Sequence, residues 1–315
     1  MQKKEPKIFI IILNWNGKND TLECLDSARE IEYENYEIVV VDNGSEDESV
    51  QAIRSKYKDV IIIENGANLG FAEGNNVGIK YALLHEADYV FLLNNDTVVE
   101  PGVIRNLLQA SKARPDAGIF GAKIYYYHEP NKIWYAGTSW MPKKARFTHL
   151  GSNQIDDQSS WREVKETAYA CGCALLIKTD VIRKIGMLEP KYFLTWEETE
   201  WCYRARRAGF ECLFVPNAVV WHKVSSSFTG GGKGSLHRYF MERNRLLWIE
   251  RNLPFIEAFE IYRKVILKEI YLNLRGYISP KSSKQQRLKC KVNLTALRDY
   301  ILRKFGDFPS WIRSI

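Results

Sequence analysis

The run FLLNNDTVV (91–99) is an apolar, strand-like segment that stops at two amides and a carboxylate, Asn94, Asn95 and Asp96. A second apolar run, YEIVVVD (36–42), ends in the same way at Asp42. A carboxylate just past a strand can hold Mg2+ or Mn2+ against phosphates, and magnesium takes only one or two carboxylates when the substrate supplies the rest. His222 closes a third run, AVVWH (218–222). An imidazole beside Asp96 would tilt the choice toward Mn2+. Turn formation alone would account for either aspartate, because Asp and Asn favour turns; two of them on neighbouring strands point to a site. TWEETEW (195–201) adds Glu197, Glu198 and Glu200, of the type that serves as a general base. The same residues also read as a capping box, with Glu198 folded back onto the Thr195 amide at the positive end of a helix.

Strands alternating with helices must position these groups. KIFIIIL (7–13), YEIVVVD (36–42), VIIIE (60–64) and YVFLLN (89–94) are continuous apolar runs. Helical patterns separate them near 18–31, 45–57 and 73–86, the second starting at Ser45-Glu46-Asp47-Glu48 as a capping box would, and Pro101 opens another. This spacing predicts an α/β fold with a mostly parallel sheet flanked by helices, whose ligands sit beyond the carboxyl ends of the strands. The pattern loosens over 119–170. It resumes with a strand over YACGCALLI (169–177), a helix from Thr179, a helix closed by Gly209, and short strands ECLFVP and AVVWH. A boundary after His222 divides the chain into 1–222 and a helical extension, 223–315.

Charge follows that boundary. Residues 223–315 hold 19 Lys/Arg against 7 Asp/Glu, so the extension carries +12 of a net +7 and the first 222 residues carry −5. An anionic partner is therefore expected for the extension alone. Its pattern LLWIERNLPFIEAFEIYRKVILKEIYLNLR suits an amphipathic helix on an anionic leaflet, a packed helical subdomain, or a dimer contact. No nucleic-acid recognition motif accompanies the basic residues. No run of about 18 uncharged apolar residues occurs, which argues against a spanning helix. The start MQKKEPKIFIIILNWNG lacks a signal-peptide core, and a cytoplasmic location is expected. The six cysteines do not suggest a disulfide framework, and Cys171 and Cys173 are expected to alternate across a strand. The cluster Gly230-Gly231-Gly232-Lys233-Gly234 fits neither phosphate-loop fingerprint and suits a lid.

Five motifs, FIIILNWNG, VVVDNGSED, NLGFAEGNN, VFLLNNDTVV and WEETEWCYRARRAG, together resemble the inverting nucleotide-sugar glycosyltransferases of family 2, in their rhamnosyltransferase-like branch. The resemblance spans roughly 7–222, and RYFMERNRLLW (238–248) is also similar to that branch. It implies a GT-A fold for 1–222 and transfer of a hexose, rhamnose among the candidates. The donor would be a nucleoside-diphosphate sugar with a pyrimidine base, and the acceptor a glycan or lipid-linked hydroxyl, with work done in the cytoplasm or on the inner face of the membrane. It implies that Asp42 receives the pyrimidine N3–H, and that Asn14, Asn43, Asn68, Gly70, Asn75, Asn76, Asn94 and Asn95 line the nucleotide-sugar pocket. Asp96 and His222 would hold Mg2+ or Mn2+, with Asn94 standing where the family has an acid. Glu198 would be the base, one methylene longer than the family's aspartate, and Glu197 would orient the acceptor or Arg204. A catalytically silent relative that binds an anionic polymer or membrane through its basic extension is the rival reading. A nucleotidyltransferase is a poorer match, because NWNGKND lacks the expected Gly-rich basic signature.

Overall fold

Strands β1 (Ile8–Asn14), β2 (Tyr36–Asp42), β3 (Ile61–Glu64) and β4 (Tyr89–Asn94) form where the continuous apolar runs stand. The computed structural model describes residues 5–157, 159–224 and 233–313. Helices α1 (Lys18–Arg29), α2 (Ser49–Lys56) and α3 (Gly70–Leu84) connect the strands. Because side chains alternate across a strand, Ile8, Ile10 and Ile12 pack with Cys24 and Leu25 on one face of the sheet. Phe9 and Ile11 pack with Ala72 and Ile79 on the other. Both faces are covered, which is why the runs carry no polar alternation.

The remaining elements widen or cover this sheet, apart from the eighth and ninth strands, which form a separate hairpin. They are β5 (Thr97–Val99), α4 (Val103–Ala113), β6 (Ala117–Tyr126), β7 (Glu129–Tyr135), β8 (Thr138–Met141), β9 (Arg146–His149), β10 (Lys165–Glu166), β11 (Ala174–Lys178), α5 (Thr179–Ile185), α6 (Glu197–Arg207) and β12 (Glu211–His222). Its order is β10-β12-β6-β11-β4-β1-β2-β3, with β5 on β12 and β7 on β6. β1 to β4 run parallel, β12 runs parallel to β6, and β11 is antiparallel between β4 and β6.

Several expectations are corrected. The two short strands ending at His222 are one, β12, whose register against β6 shifts between Val215 and Val219. Pro216 lies in that shift, where its missing N–H costs no ladder bond. Helix α2 starts four residues after Ser45, beyond a left-handed Glu48 (φ 61°), so no capping box forms there. The strand expected from 169 begins only at Ala174. Cys171-Gly172-Cys173 is a turn closed by Ala174 N–H on Cys171 O at 3.2 Å, and the two sulfurs lie 3.7 Å apart instead of on opposite faces. Asp42 and Asp96 are also not on adjacent strands, since β1 runs between β2 and β4.

Helices α7 (Lys233–Asn252), α8 (Phe255–Ile261), α9 (Leu267–Ile278), α10 (Lys284–Ile301) and α11 (Ser310–Arg313) form the extension. Leu247, Trp248 and Ile249 pack with Tyr192 and Trp196 of the loop before α6, so the extension buttresses that loop. Gly230, Gly231 and Gly232, expected in a lid, lie outside the described residues.

Candidate active site

The end of β2 is built around a carboxylate with three donors. Asp42 Oδ1 accepts from Asn14 Nδ2 at 2.9 Å, and Oδ2 accepts from the Gly44 and Ser45 N–H groups at 3.1 and 2.9 Å. Of about four lone-pair sites on a carboxylate, the open one is on Oδ1. Ser45, diverted from capping, accepts the second Asn14 N–H at 3.0 Å. Asn14 Oδ1 in turn accepts from Thr21 (2.8 Å) and Asn95 (3.2 Å), which ties the ends of β1, β2 and β4 into one network. A Cβ at Gly17 would stand 2.4 Å from Asn95 Nδ2, so the network needs glycine there.

Asn43, Asn68 and Gly70 form a second cluster. Asn43 Nδ2 donates to Gly70 O at 3.0 Å, and Asn68 Oδ1 accepts the Gly70 N–H at 2.9 Å. Gly70 has φ +79°, and a Cβ would meet Phe193 O at 2.6 Å. Phe71 N–H then donates to Phe193 O at 2.6 Å, coupling this loop to the one before α6. Asn75 and Asn76 turn their amides to protein partners, Asn75 to Phe71 O and Asn76 to both the N–H and the carbonyl of Leu188.

Asp96 and His222 are brought together by strand pairing. β12 opposes β5 with His222 on Thr97, and Lys223 N–H donates to Asp96 O at 3.0 Å. His222 Nε2 faces Asp96 Oδ1 at 3.0 Å, with both side chains nearly buried. The Trp134 ring stands edge-on to His222 at 4.9 Å. His222 Nδ1 and Asn94 Oδ1 are buried without a hydrogen-bonding partner among the described residues. One carboxylate, one imidazole and a nearby amide oxygen fit a hard or borderline divalent cation whose shell a ligand completes. Among the described residues no group of three or more His, Cys, Asp or Glu makes a closed metal cage.

The opposite wall carries the glutamates. Glu197 and Glu198 open α6 after a backbone in which Phe193, Thr195 and Trp196 all have positive φ (63°, 68° and 76°). Such geometry is costly for non-glycine residues and persists only where surroundings enforce it. Asn244 of α7 enforces it, sharing its amide N–H groups among the carbonyls of Tyr192, Leu194 and Thr195 at 2.8, 2.9 and 2.8 Å. The capping box expected at Thr195 is absent, because Trp196 is left-handed and caps nothing. Asn244→Ala is expected to cost about 2 kcal/mol of stability, since it strands carbonyls under a strained loop; urea unfolding measures it.

Burial, followed by the Glu198 carboxylate, pushes Glu197 well above the usual carboxylate range. Burial raises Glu198 as well, but the backbone N–H groups of Glu198, Thr199 and Gly172 oppose it. The pair therefore shares charge unequally, with Glu198 the readier to ionise. Gly172 allows this approach, since a Cβ there would lie 3.3 Å from Glu198 Cβ. A carboxyl raised on folding keeps a proton that the unfolded chain releases. Its contribution to stability is full below the unfolded value and is lost as pH rises through the folded one. Glu197→Gln is thus expected to flatten the decline in stability between about pH 5 and pH 8, read from urea midpoints at each end. Arg204, one of the two partners expected of Glu197, is held by Glu200, as their i,i+4 spacing favours, with Nε 2.8 Å from both carboxylate oxygens.

A cavity of about 510 Å3 joins the two walls, lined by Asn94 and His222 on one side and Glu197 and Glu198 on the other. Trp134, Arg146, Phe147 and His149 also line it. None of those four was singled out in the sequence, and β7 and β9 carry them across from the loosely patterned 119–170 stretch. His149, 2.9 Å from the Tyr169 hydroxyl, is pushed down to about 4 by burial and is neutral at pH 7. Trp201 is fully buried, Trp196 is nearly so, Trp140 packs beside Trp248, and Trp161 packs partly buried against the core, so these rings serve packing.

The sequence model of glycosyl transferase family 2 matches residues 9–186. The chain is 27% identical over 211 residues, 60% of its length and 67% of the relative's, to an N-acetylglucosaminyl-diphospho-decaprenol L-rhamnosyltransferase of Mycobacterium tuberculosis. It is 23% identical to the dTDP-rhamnosyl transferase RfbF of Shigella flexneri, covering 85% of this chain and 87% of that one. Among solved structures, a Pyrobaculum calidifontis mannosyltransferase in complex with GDP-Man and Mn2+ superposes with a TM-score of 0.57 at 16% identity, over 97% of this chain and 77% of that one. Family match, relatives and sheet agree: the chain belongs to glycosyl transferase family 2 and is a rhamnosyltransferase-like hexosyltransferase with a GT-A fold.

Proposed function

We propose that the chain moves a hexose, rhamnose being the first candidate, from a nucleoside-diphosphate donor to a hydroxyl of a glycan or lipid-linked acceptor, with inversion at the anomeric carbon. Residues 1–222 would be the catalytic unit, and 223–315 the basic extension that serves it. The observation that carries the reading is the cavity with Asn94 and His222 on one wall, His222 backed by Asp96 at 3.0 Å, and a half-buried, ionisable Glu198 on the other. Glu198 takes the acceptor's hydroxyl proton. The acceptor oxygen then bonds to the anomeric carbon, and the bond to the diphosphate oxygen breaks with its electron pair.

Asp96 and His222 would hold a divalent cation, Mg2+ or Mn2+. Bound there, the ion would supply positive charge for the departing diphosphate. Asn14 and Asn95, bonded to each other, hold the strand ends in place behind the phosphates and ribose, and the Asn94 amide faces them. The open lone pair of Asp42 suits a single donor such as a pyrimidine N3–H. Asn43, Asn68 and Gly70, with Asn75 and Asn76 behind them, shape the loop that closes the donor pocket. The named rhamnosyltransferase relatives support a rhamnose donor and a lipid-linked acceptor. Work at the inner face of the membrane fits such an acceptor.

A screen of nucleoside-diphosphate sugars with Mn2+ and with Mg2+, read as released nucleoside diphosphate, tests the proposal. Release with one pyrimidine-linked hexose is expected. No release with any donor would favour the silent, polymer-binding reading, which the amide Asn94 in place of an acid favours.

A further inference from the structure

Helices α8 and α9 are continuous through a π-turn over Tyr262–Ile266. One side is built into the protein, where Ile261 and Ile266 are buried in the core shared with Trp248. The other side is not. Phe255, Phe259, Leu267, Tyr271, Leu274 and Ile278 are all exposed, Phe255 by 83% and Ile278 by 75%. Monomeric soluble proteins rarely show contiguous apolar area of this kind without a use for it.

The π-turn decides whether these residues form one surface. At about 100° per residue, Phe255 and Phe259 fall within about 40° of each other. In an uninterrupted α-helix the four residues from Leu267 onward would be rotated from them by about 100°. A π-turn accommodates one additional residue and removes that offset. All six side chains then lie within a sector of about 60°, along roughly 35 Å of helix. Such turns are frequent at functional sites.

Charge identifies the occupant. Lys268 and Arg275 are exposed along one border of the stripe, and Lys281 is exposed just past its end. Of the three acids on this helix, Glu257 lies in its first turn, Glu260 is paired with Arg263 and Lys264, and Glu269 turns inward to Arg245. An apolar face with basic flanks fits the headgroup and acyl boundary of an anionic leaflet. In a two-fold pair of chains the same patch would face itself, setting basic flank against basic flank. No helix among the described residues is long and apolar enough to cross a membrane, so the contact is one of lying on the surface.

We infer that this stripe is a membrane-docking face for phospholipid bilayers carrying anionic headgroups. It stands apart from the sugar-transfer reading, because the surface would bind lipid whether or not the cavity catalyses transfer. The test is co-sedimentation of the full chain with vesicles of phosphatidylcholine containing phosphatidylglycerol, and with phosphatidylcholine alone. Binding to the anionic vesicles is expected. It should fall at least about tenfold for the double variants F259E/Y271E and L267E/I278E and fall also without phosphatidylglycerol. Urea midpoints of both variants should stay near the parent's, and transfer to a soluble acceptor should be unchanged. Equal vesicle binding by parent and both variants would overturn the inference, as would equal binding to neutral vesicles. A dimer seen by light scattering that both variants dissolve, with no vesicle binding by the parent, would assign the face to self-association and overturn it too.

Discussion

Glu198→Gln is expected to lower transfer by about a thousandfold while leaving donor binding unchanged. The side chain keeps its size, its place at the start of α6 and its approach to Gly172, and loses only the ability to accept a proton. Its neighbour Glu197 cannot substitute easily, since burial and the Glu198 charge hold its carboxyl protonated well above the usual range. In the variant that charge is absent, so Glu197 should titrate lower than in the parent. Any residual transfer should then rise with pH, and a pH profile of kcat measures it. Donor affinity, read by calorimetry with the nucleoside diphosphate, should not move. Full transfer by the variant would shift the base to Glu197, or to Glu200 despite its pairing with Arg204.

Asp96→Ala is expected to reduce transfer by about 10²–10³-fold and to abolish its dependence on added Mn2+. The variant leaves His222 and the Asn94 amide as donors, one nitrogen and one neutral oxygen, too little charge for a hard cation. Asp96 also precedes Thr97, the β5 partner of His222, and faces the imidazole at 3.0 Å, so the imidazole would lose the group it faces. Mn2+ binding followed by electron paramagnetic resonance, in the presence of nucleoside diphosphate, separates the metal loss from the rate loss. Undiminished Mn2+ binding would remove Asp96 from the site. The Asn244→Ala variant offers a contrast, because its effect passes through the strained loop and should appear in stability as well as in rate.

Much of this was legible without coordinates. Continuous apolar runs that end in Asp or Asn dictate buried parallel strands with polar ends, because a strand covered on both faces has nowhere to place a polar residue except its tip. That logic located Asp42, Asn94, Asp96 and His222 at strand ends, while Asn14 and the family came from the five motifs in order. Local spacing misled where backbone geometry had other demands. Ser45 and Thr195 both look like caps, yet Ser45 is drawn to Asn14, and Thr195 lies in a left-handed loop that Asn244, some fifty residues on, helps to hold in place.

What the chain order alone determined was the set of chemical groups and the elements that carry them. Tertiary structure decided their pairing: Asp96 against His222 through β5 and β12, Glu198 under Gly172, and Trp134 and His149 delivered to the cavity from a stretch with no readable period. It also decided that the exposed residues of α8 and α9 share one face, since a single π-turn sets the rotation between them. Contacts of this kind depend on register and on long-range closure. A one-dimensional pattern carries neither, because the free energy that selects them is gained only when distant segments bury one another.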